Sequence, residues 1–361
     1  MMIEQEFLMH GPILEVLPLG FPWVTFDPFL FCVYHDDPYP KANGRFGPAA
    51  SLAGHAIGQD FQNADGWRMY HGQEVPGFPG HPHRGFETVT VVRRGLVDHS
   101  DSLGAAARYG GGDTQWLTAG AGVVHAEMFP LLDTAGPNPL ELFQIWLNLP
   151  ARRKFAPPHF TMFWGEDIPR LRLGDAGGPQ TELVCVAGAV PGQPATTPLA
   201  PPPDSWASQP EADIAIWTLR LDPGARWTLP PAAGAASGTR RCLYFFAGSP
   251  VRVGGHLQSD HAALVLDAGA AVELVNEGDK PAEFLLLQGR PIGEPVVQYG
   301  PFVMNTEAEV RQAFADYRST QFGGWPWGDM APVHGPDPGR FARHADGSEE
   351  RRGPASVAVS D

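Results

Sequence analysis

The chain has 361 residues, which is long enough for two domains with substantial hydrophobic cores. It carries 25 basic and 40 acidic residues, and its formal net charge of -15 would repel a phosphate backbone instead of releasing its counterions. Hydrophobic residues make up 43% of the chain beside 43 Gly and 38 Pro, which indicates short strands separated by many turns. A turn-rich globular protein is expected, and direct nucleic-acid binding is not.

Two further classes of protein are disfavoured by the sequence. No run of about twenty apolar residues could span a bilayer, and the start MMIEQEFLMH lacks the basic and apolar regions of a secretory signal. We therefore expect a soluble, cytoplasmic protein with no membrane association. Cys32, Cys185 and Cys242 are isolated and lack CxxC spacing, which argues against a disulfide framework or a thiolate zinc site. Three mostly buried thiols are predicted.

Strand signals dominate the first 150 residues. Residues 12–35 alternate apolar stretches with Gly and Pro, which fits short strands leading into a first β domain, and residues 40–80 are typical of a loop. Apolar and β-branched residues then recur in four segments separated by Gly-rich turns: FETVTVVRRG, LVDHSDSLG, TQWLTAGAGVVHAEM and ELFQIWLNLP. The last segment, residues 141–150, is expected to close a first barrel.

A second set of strand signals follows, so the sequence predicts two β domains in tandem. Its segments are TELVCVAG, ADIAIWTLRL, RCLYFFAG, HAALVLDAG, AVELVNEG and AEFLLLQG. Residues 191–211, within this half, are rich in Pro, Ala, Ser and Thr. That composition fits either a linker or a long surface loop.

The end of the chain is predicted to contain one helix and a tail. Thr306 and Glu309 fit a capping box before a helix that ends near Gly323. Four residues follow at the spacing of one helical face: Val310, Ala313, Phe314 and Tyr317. From about Asp329 the sequence is polar and Pro-rich, with little apolar surface to offset the entropy of ordering. A flexible tail is therefore predicted.

Two pairs of potential metal ligands stand out between residues 81 and 127. Side chains two positions apart on a strand point to the same face, so His81 can converge with His83, and His125 with Glu127. Gly and strand signals between the pairs indicate a meander that would bring them together. Three imidazoles and one carboxylate suit a divalent first-row metal. The sequence therefore predicts a four-ligand metal site.

Other candidates for this site have more ordinary explanations. Glu87 shares a face with His83 but lies four residues on, about 13 Å along a straight strand, so it would reach the ion only through a bend at Gly85. We interpret Glu87 as a structural residue or as one that contacts a ligand. Gln115 and Trp116 fit either the pocket lining or core packing. Four scattered histidines are expected to lie at the surface or to be hydrogen-bonded in the core: His71, His99, His256 and His261.

The segments HPHRGFETVTVVRRGLVDHSDSLG and GGDTQWLTAGAGVVHAEM closely resemble the signature of the pirin family, within the cupin superfamily. The resemblance continues in QIWLNLPARRKF and in GEPVVQYGPFVMNTEAEVRQAFADYRSTQFGG, and it covers most of residues 15–325. It implies an all-β fold of two tandem cupin barrels, each a double-stranded β-helix, with a C-terminal helix. Ala121, Ala126 and the Arg93-Arg94 pair depart from residues that are common in the family, without removing a ligand.

The resemblance also implies how the chain is divided. Residues 1–165 would form an N-terminal cupin domain that binds one divalent metal ion, usually Fe(2+), through His81, His83, His125 and Glu127. Residues 166–300 would form a C-terminal cupin domain without metal, with residues 191–211 as a loop inside it. Residues 301–328 would hold the helix, and residues 329–361 the flexible tail.

Two functions from different classes follow from this site. The first is a metal-dependent dioxygenase that acts on a flavonol such as quercetin with O2, as some pirin-like proteins do, and in which Glu127 accepts the substrate hydroxyl proton. The second is a non-catalytic, metal- or redox-dependent module that binds a protein partner, such as a transcription cofactor. A metal-stabilised scaffold is a third reading. An ion held by four protein groups retains open coordination positions, which favours the enzyme.

Overall fold

A computed structural model describes residues 11–63 and 65–355. It confirms an all-β architecture with a single α-helix, α1 (Glu307–Thr320), among these residues. The strands are β1 (Ile13–Pro18), β2 (Phe29–Tyr39), β3 (Gly77–His83), β4 (Phe86–Arg94), β5 (Leu96–Asp101), β6 (Ala106–Gly110), β7 (Thr114–Thr118), β8 (Val123–Met128), β9 (Asn138–Asn148), β10 (His159–Phe163), β11 (Arg170–Leu173), β12 (Thr181–Ala187), β13 (Ala215–Leu221), β14 (Arg226–Leu229), β15 (Arg240–Ala247), β16 (Val251–Val253), β17 (His256–Gln258), β18 (Ala262–Leu266), β19 (Val272–Asn276), β20 (Ala282–Gly289), β21 (Val297–Tyr299), β22 (Phe302–Met304), β23 (Gly339–Arg343) and β24 (Glu349–Pro354).

Short 3-10 helices punctuate the connections, at Ala151–Arg153, Pro194–Thr196, Trp206–Ser208, Pro210–Ala212, Ala235–Ser237 and Gln321–Gly323. Helix α1 is too short and too polar to cross a bilayer, and the described residues contain no helix that could.

The chain forms two compact units that interleave in sequence. The first unit contains residues 32–167, 202–205 and the described part of 293–361, and the second contains the described part of 1–31 with 168–201 and 206–292. Two tandem cupin domains were expected with boundaries at 165 and 300. The chain enters the second unit at residue 168, beside the expected boundary, but residues 11–31 lie in the second unit and residues 293–355 in the first, which is opposite to a simple tandem order.

The second unit is a sandwich-like barrel of antiparallel strands. Its seven-stranded sheet has the order β1-β18-β15-β20-β13-β12-β11, and its four-stranded sheet has the order β14-β19-β16-β17. Leu243 of β15 lies opposite Leu264 and Leu286 in the ladder, and all three belong to one buried cluster. Residues two apart on each strand therefore line the interior, as the alternation of a half-buried strand requires.

Strand β1 corrects one expectation from the sequence. Residues 12–35 were expected to lead into the first domain, but β1 pairs with β18 of the second unit, and Ile13 lies opposite Leu266 in its core. The apolar pattern of β1 indicates a strand with one buried face, but it does not indicate which strand pairs with β1. That partner is fixed by the edge strand that a distant part of the chain provides.

The first unit brings β3 and β8 together without the predicted meander, because the strands between them alternate between two sheets: β4 and β7 lie in one, and β5 and β6 in the other. Its five-stranded sheet has the order β10-β7-β4-β9-β2, and its six-stranded sheet has the order β24-β23-β6-β5-β8-β3. Apolar residues from both sheets form one buried cluster, including Val92, Val97 and Leu117. The two sheets enclose an interior at which β3 and β8 present their side chains, and these strands carry the predicted ligands.

The predicted capping box and helix are confirmed. Thr306 accepts a hydrogen bond from the Glu309 backbone N–H at 3.2 Å, and the Glu309 carboxylate accepts one from the Asn305 backbone N–H at 3.1 Å. Helix α1 ends at Thr320, and the following 3-10 helix runs to Gly323. The predicted apolar face packs into a small cluster on the first unit: Val310 and Ala313 are buried, and Phe314 and Tyr317 contact Phe302.

The prediction of a flexible tail over residues 329–361 is wrong for the part that the structure describes. Strands β23 and β24 form an antiparallel hairpin, and β23 adds to the first unit's sheet, with Phe341 opposite Arg108 of β6. Residues 356–361 lie outside the described residues. The hairpin therefore occupies what would otherwise be an edge of the sheet.

Buried charges explain why so polar a segment is ordered. Arg340 is 8% exposed, and its guanidinium lies 2.6 Å from Asp113, which is fully buried, and 3.1 Å from Glu166. Arg108, also fully buried, forms two hydrogen bonds with Asp98 and donates to the Gly335 carbonyl at 2.8 Å. The C-terminal segment supplies a charge and hydrogen-bond acceptors to buried polar groups of the first unit. The number of apolar residues in the segment gives no indication of these interactions.

Replacing Arg340 tests this explanation. Arg340→Ala leaves buried Asp113 without its cationic partner, so we expect the hairpin to be destabilised by about 3 kcal/mol and its amide hydrogens to exchange roughly 100-fold faster. Arg351→Ala is the matched control, because that side chain is 70% exposed and should change stability by less than about 0.5 kcal/mol. Hydrogen exchange measured by mass spectrometry over 339–354 checks both variants. Equal protection in the two variants would show that the ion pair does not hold the hairpin.

Candidate metal centre

Strands β3 and β8 bring the two predicted ligand pairs face to face. They pair antiparallel, and His81 lies directly opposite His125 in the ladder. Gly122 precedes β8 with a φ of 132°, and a Cβ there would lie 2.6 Å from the Phe322 ring. A glycine is therefore required at this turn, both for its backbone conformation and for the close approach of Phe322.

Three of the four predicted ligands converge. One ligand atom from each of His81, His83 and His125 lies within 4.8 Å of the others. The ring centroids are 4.5 Å apart for His81 and His125, 4.8 Å for His81 and His83, and 4.9 Å for His83 and His125. Rings at these separations can direct three nitrogens at one ion.

The surroundings of these rings fit a metal ion. His125 is fully buried, and neither of its ring nitrogens has a hydrogen-bond partner in the described structure. Burying an imidazole with both nitrogens unpaired costs free energy, and an ion coordinated by one of the nitrogens would recover part of it. The Nδ1 atom of His81 lies 2.9 Å from the Pro79 carbonyl, and that of His83 lies 3.4 Å from the Pro301 carbonyl. Donation from Nδ1 to these carbonyls would leave each Nε2 as the ligand atom.

Burial also keeps the three imidazoles in the ligating form. It lowers the pKa of His81 to about 4, and it lowers the pKa of His83 and of His125 well below the usual histidine value. Neighbouring imidazoles in the cluster add to the effect, because two cationic rings would repel each other. At neutral pH all three rings are therefore uncharged, as metal coordination requires.

Glu127 is placed differently from the histidines. It is buried on the same face of β8 as His125, but it does not belong to the described group of ligand atoms within 4.8 Å. Its carboxylate accepts hydrogen bonds from Thr90 at 3.0 Å, Gln144 at 3.1 Å and Tyr109 at 3.5 Å. Burial raises the pKa of Glu127 above the usual value. Its role as the fourth ligand stays a prediction.

Glu87, the rival ligand, is held away from this group. It is fully buried, accepts a hydrogen bond from Thr118 at 2.7 Å and another from the Ser205 hydroxyl, and is absent from the described cluster of ligand atoms. Burial raises its pKa to about 7. The interpretation of Glu87 as a structural residue fits these contacts. Its partner Ser205 lies in the Pro-rich stretch, so no local pattern could have indicated it.

The structure adds His99 and Asp101 to the neighbourhood of this cluster, and of the two His99 had been weighed, and set aside, from the sequence. His99 is buried with its ring centroid 5.5 Å from that of His125, and its Nε2 lies 3.2 Å from the Asp101 carboxylate. Asp101 also accepts the backbone N–H of Leu103 and of Ala105, so it stabilises the turn after β5. The alternation of side chains along β5 is the sequence signal that could have placed His99 near the site, because His99 lies opposite Glu127 in the ladder.

Gln115 and Trp116, left open by the sequence, divide between the two faces of β7. Gln115 lies opposite Thr90, the residue that donates to Glu127, and both atoms of its buried amide lack partners in the described structure. Trp116 lies on the other face, near Phe163 with ring centroids 6.1 Å apart. Gln115 therefore shares the interior with the candidate site, and Trp116 packs on the opposite face.

Comparison with known proteins places this geometry in a family. Residues 25–147 match the sequence model described as Pirin, and residues 216–323 match the Pirin C-terminal cupin domain. The chain belongs to the pirin family. It is 33% identical to pirin of Homo sapiens over 259 residues, which is 70% of this chain and 80% of that protein. It is 34% identical to a pirin-like protein of Solanum lycopersicum over 273 residues, 72% of this chain and 82% of that protein.

A solved structure agrees with this assignment. The structure of quercetin 2,3-dioxygenase from Acinetobacter baumannii is 26% identical, with a TM-score of 0.63, and the match covers 87% of this chain and 96% of that one. Within the pirin family match lie all four predicted ligands. The hairpin of β23 and β24 lies beyond both matched segments. In the second unit, the described residues form no cluster of metal-ligating side chains.

Glu87 yields a pH-dependent prediction. Its pKa is about 7 when folded, against 4.5 for the ordinary value, so the folded state binds more protons between these values and stability falls as pH rises through that window. The groups facing Glu87 are Thr118, Ser205, the Trp116 indole and, at longer range, the Asp204 carboxylate, whose charge also raises the pKa. Because glutamine does not titrate, Glu87→Gln should gain roughly 3 kcal/mol relative to the wild type between pH 4.5 and pH 8.

Thermal unfolding of both proteins across this range measures the effect. The difference in Tm, variant minus wild type, should become more positive as pH rises. Glu74→Gln, at a side chain that is 50% exposed, is the control and should show a constant difference. A constant difference for Glu87→Gln as well would mean that the buried carboxyl does not titrate in this window.

Proposed function

We propose that this member of the pirin family is a metal-dependent dioxygenase that acts on a flavonol such as quercetin with O2. The observation that carries the proposal is the cluster of half-buried His81 with buried His83 and His125, with both nitrogens of His125 unpaired in the described structure. The related structure of a quercetin 2,3-dioxygenase supports the choice of reaction. The proposed ion is Fe(2+), as the family resemblance implies, and imidazole ligands also suit other first-row metals.

The three histidines would hold the ion, and Glu127 is proposed as its fourth ligand. When bound, such an ion supplies a Lewis-acidic centre with open positions for substrate and O2. The Pro79 and Pro301 carbonyls orient the His81 and His83 rings, so that the ligand nitrogens are positioned before any ion arrives. This pre-organisation is what a site that performs chemistry requires, and a scaffold has no need of open positions.

Aromatic side chains beside the cluster suit a flat substrate. Trp146 is half-buried, with its ring 5.3 Å from that of His83 and 4.3 Å from that of Phe86. Planar rings of a flavonol can stack on such a surface in offset or edge-to-face geometry. The buried Gln115 amide, unpaired in the described structure, offers a donor and an acceptor to a phenolic hydroxyl.

Glu127 is the residue proposed to move the proton. The Gln144 amide and the Tyr109 hydroxyl donate to its carboxylate on the interior face of β8, and the Thr90 hydroxyl lies between this carboxylate, at 3.0 Å, and the Gln144 amide oxygen, at 2.6 Å. A carboxylate held in one orientation can accept the proton of a flavonol hydroxyl that lies beside it. Proton transfer of this kind contributes about 10²–10⁴-fold to the rate of an enzyme. Thus Thr90, Gln144 and Tyr109 act as positioning residues for Glu127.

Oxygen uptake tests the proposal. Protein purified without oxygen and loaded with Fe(2+) should consume O2 when a flavonol is added, and both atoms of 18O2 should appear in the products. A chelator should abolish uptake, and restored Fe(2+) should recover it. His83→Ala should lose at least about 100-fold of the activity, because one of three imidazole ligands is gone. His159→Ala, an exposed histidine of β10, is the matched control and should behave as the wild type.

Two results would contradict the proposal. One is a metal-loaded protein that consumes no O2 with any member of a flavonol and catechol series. The other is a His83→Ala variant that keeps wild-type uptake while its metal content falls.

A further inference from the structure

The second unit contains a cavity that the proposed oxygenase reaction does not use. Its volume is about 640 Å³, within the range of roughly 300–1,000 Å³ that is typical of small-molecule sites. It shares no residue with the candidate metal centre. Its walls are mainly apolar and include Leu14, Phe26, Ala236, Val265 and Leu266. A ligand in this cavity would therefore bury an apolar body.

A buried cation lines the same cavity. Arg241 of β15 is 1% exposed, and it follows the alternation that points Leu243 and Phe245 into the core of this unit. Its guanidinium donates to the Gln288 side-chain oxygen at 2.8 and 2.5 Å and to the Pro230 carbonyl at 2.7 Å. All of these acceptors are neutral. Among the residues that the structure describes, no carboxylate forms an ion pair with Arg241.

Two carboxylates of this region accept hydrogen bonds from groups other than Arg241. The Asp213 carboxylate accepts hydrogen bonds from the Gly234 backbone N–H at 2.8 Å and from the Thr239 hydroxyl at 2.7 Å. Asp267, which also lines the cavity, accepts the Gly269 backbone N–H at 2.9 Å. The Arg241 guanidinium donates only to neutral acceptors, and the nearby Asp213 carboxylate offsets part of the cost of burying its charge without forming a direct ion pair with it. The pKa of Arg241 falls to about 10 through this burial.

A second arginine is available at the same place. Arg240 lines the cavity, is exposed, and makes no side-chain hydrogen bond or ion pair within the described ranges 11–63 and 65–355. Adjacent residues of a strand point to opposite faces, so Arg240 and Arg241 reach the cavity from the two sides of the end of β15. The lining thus combines an apolar wall with two guanidiniums against one carboxylate.

We infer that this cavity binds a small organic anion, a monocarboxylate with an apolar body. The carboxylate would pair with the exposed Arg240 and lie near the buried Arg241, while the body contacts the apolar wall. Guanidinium and carboxylate form charge-assisted and often bidentate hydrogen bonds. Such binding needs no metal, and it is independent of the proposed dioxygenase reaction.

Calorimetry with three probes tests the inference on the full-length protein. Octanoate supplies a carboxylate on an aliphatic body, benzoate supplies one on an aromatic body, and 1-octanol is the uncharged counterpart of octanoate. We expect at least one of the carboxylates to bind, and the stronger one identifies the body that the cavity prefers. Octanol should bind at least about 10-fold more weakly than octanoate, because it lacks the charge-assisted contact. Equal binding of octanol and octanoate, or no binding of either carboxylate at millimolar concentration, would overturn the inference.

Two variants locate the binding. Arg240→Gln should weaken carboxylate binding about 10-fold, and the exposed position makes a folding defect unexpected. Ala236→Trp, in the exposed 3-10 helix that lines the cavity, should fill the space and abolish binding while leaving both arginines in place. Arg226→Gln is the control, since that arginine is 69% exposed, pairs with Glu273 and lies outside the cavity. Unchanged affinity in Arg240→Gln or in Ala236→Trp, with circular dichroism like that of the wild type, would show that the anion does not bind there.

Discussion

A buried imidazole needs hydrogen-bond or metal partners for its nitrogens. The first unit is arranged around the imidazole of His125, whose nitrogens have no hydrogen-bond partner in the described structure. His125 is fully buried in β8, opposite His81 and close to His83 and His99. Protonation would place a charge in the interior beside other imidazoles, and burial lowers the pKa of His125 accordingly. A neutral ring with two unpaired nitrogens is still costly. Coordination of an ion would remove that cost at one of the two nitrogens, and it would use the carbonyl-oriented rings of His81 and His83 at the same time.

The convergence of the three histidines was readable from the sequence, because it depends on the alternation of side chains along a strand. Two pairs at a spacing of two residues, with glycine turns between them, predicted convergence, and the three histidines converge. The partners of Glu127 were not readable, because Thr90, Gln144 and Tyr109 come from three other strands, and their positions follow from register. The same holds for Glu87, whose contact with Ser205 joins residues 118 positions apart in sequence.

The fold shows the same division between local and non-local information. Strand segments and the capped helix were predicted from their own residues, since apolar alternation and the Thr306 cap are local properties. The partner strand of β1 was not predicted, and neither was the ordered structure of the C-terminal hairpin. Each depends on pairing with an edge strand from a distant part of the chain. The tail was expected to be flexible from its small apolar content. The described part of the tail is ordered instead by polar interactions. Arg340 forms an ion pair with buried Asp113, and the Gly335 carbonyl accepts a hydrogen bond from buried Arg108.

The central claim is that His81, His83 and His125 hold one metal ion, and the metal content of protein purified without oxygen tests it most directly. Elemental analysis of the wild type after loading and desalting should find about one first-row ion per chain. His125→Ala, compared with the wild type after the same treatment, should retain almost none while keeping the β-rich circular dichroism spectrum of the wild type. A folded wild-type protein without a bound ion, or a His125→Ala variant that retains a full equivalent, would contradict the account.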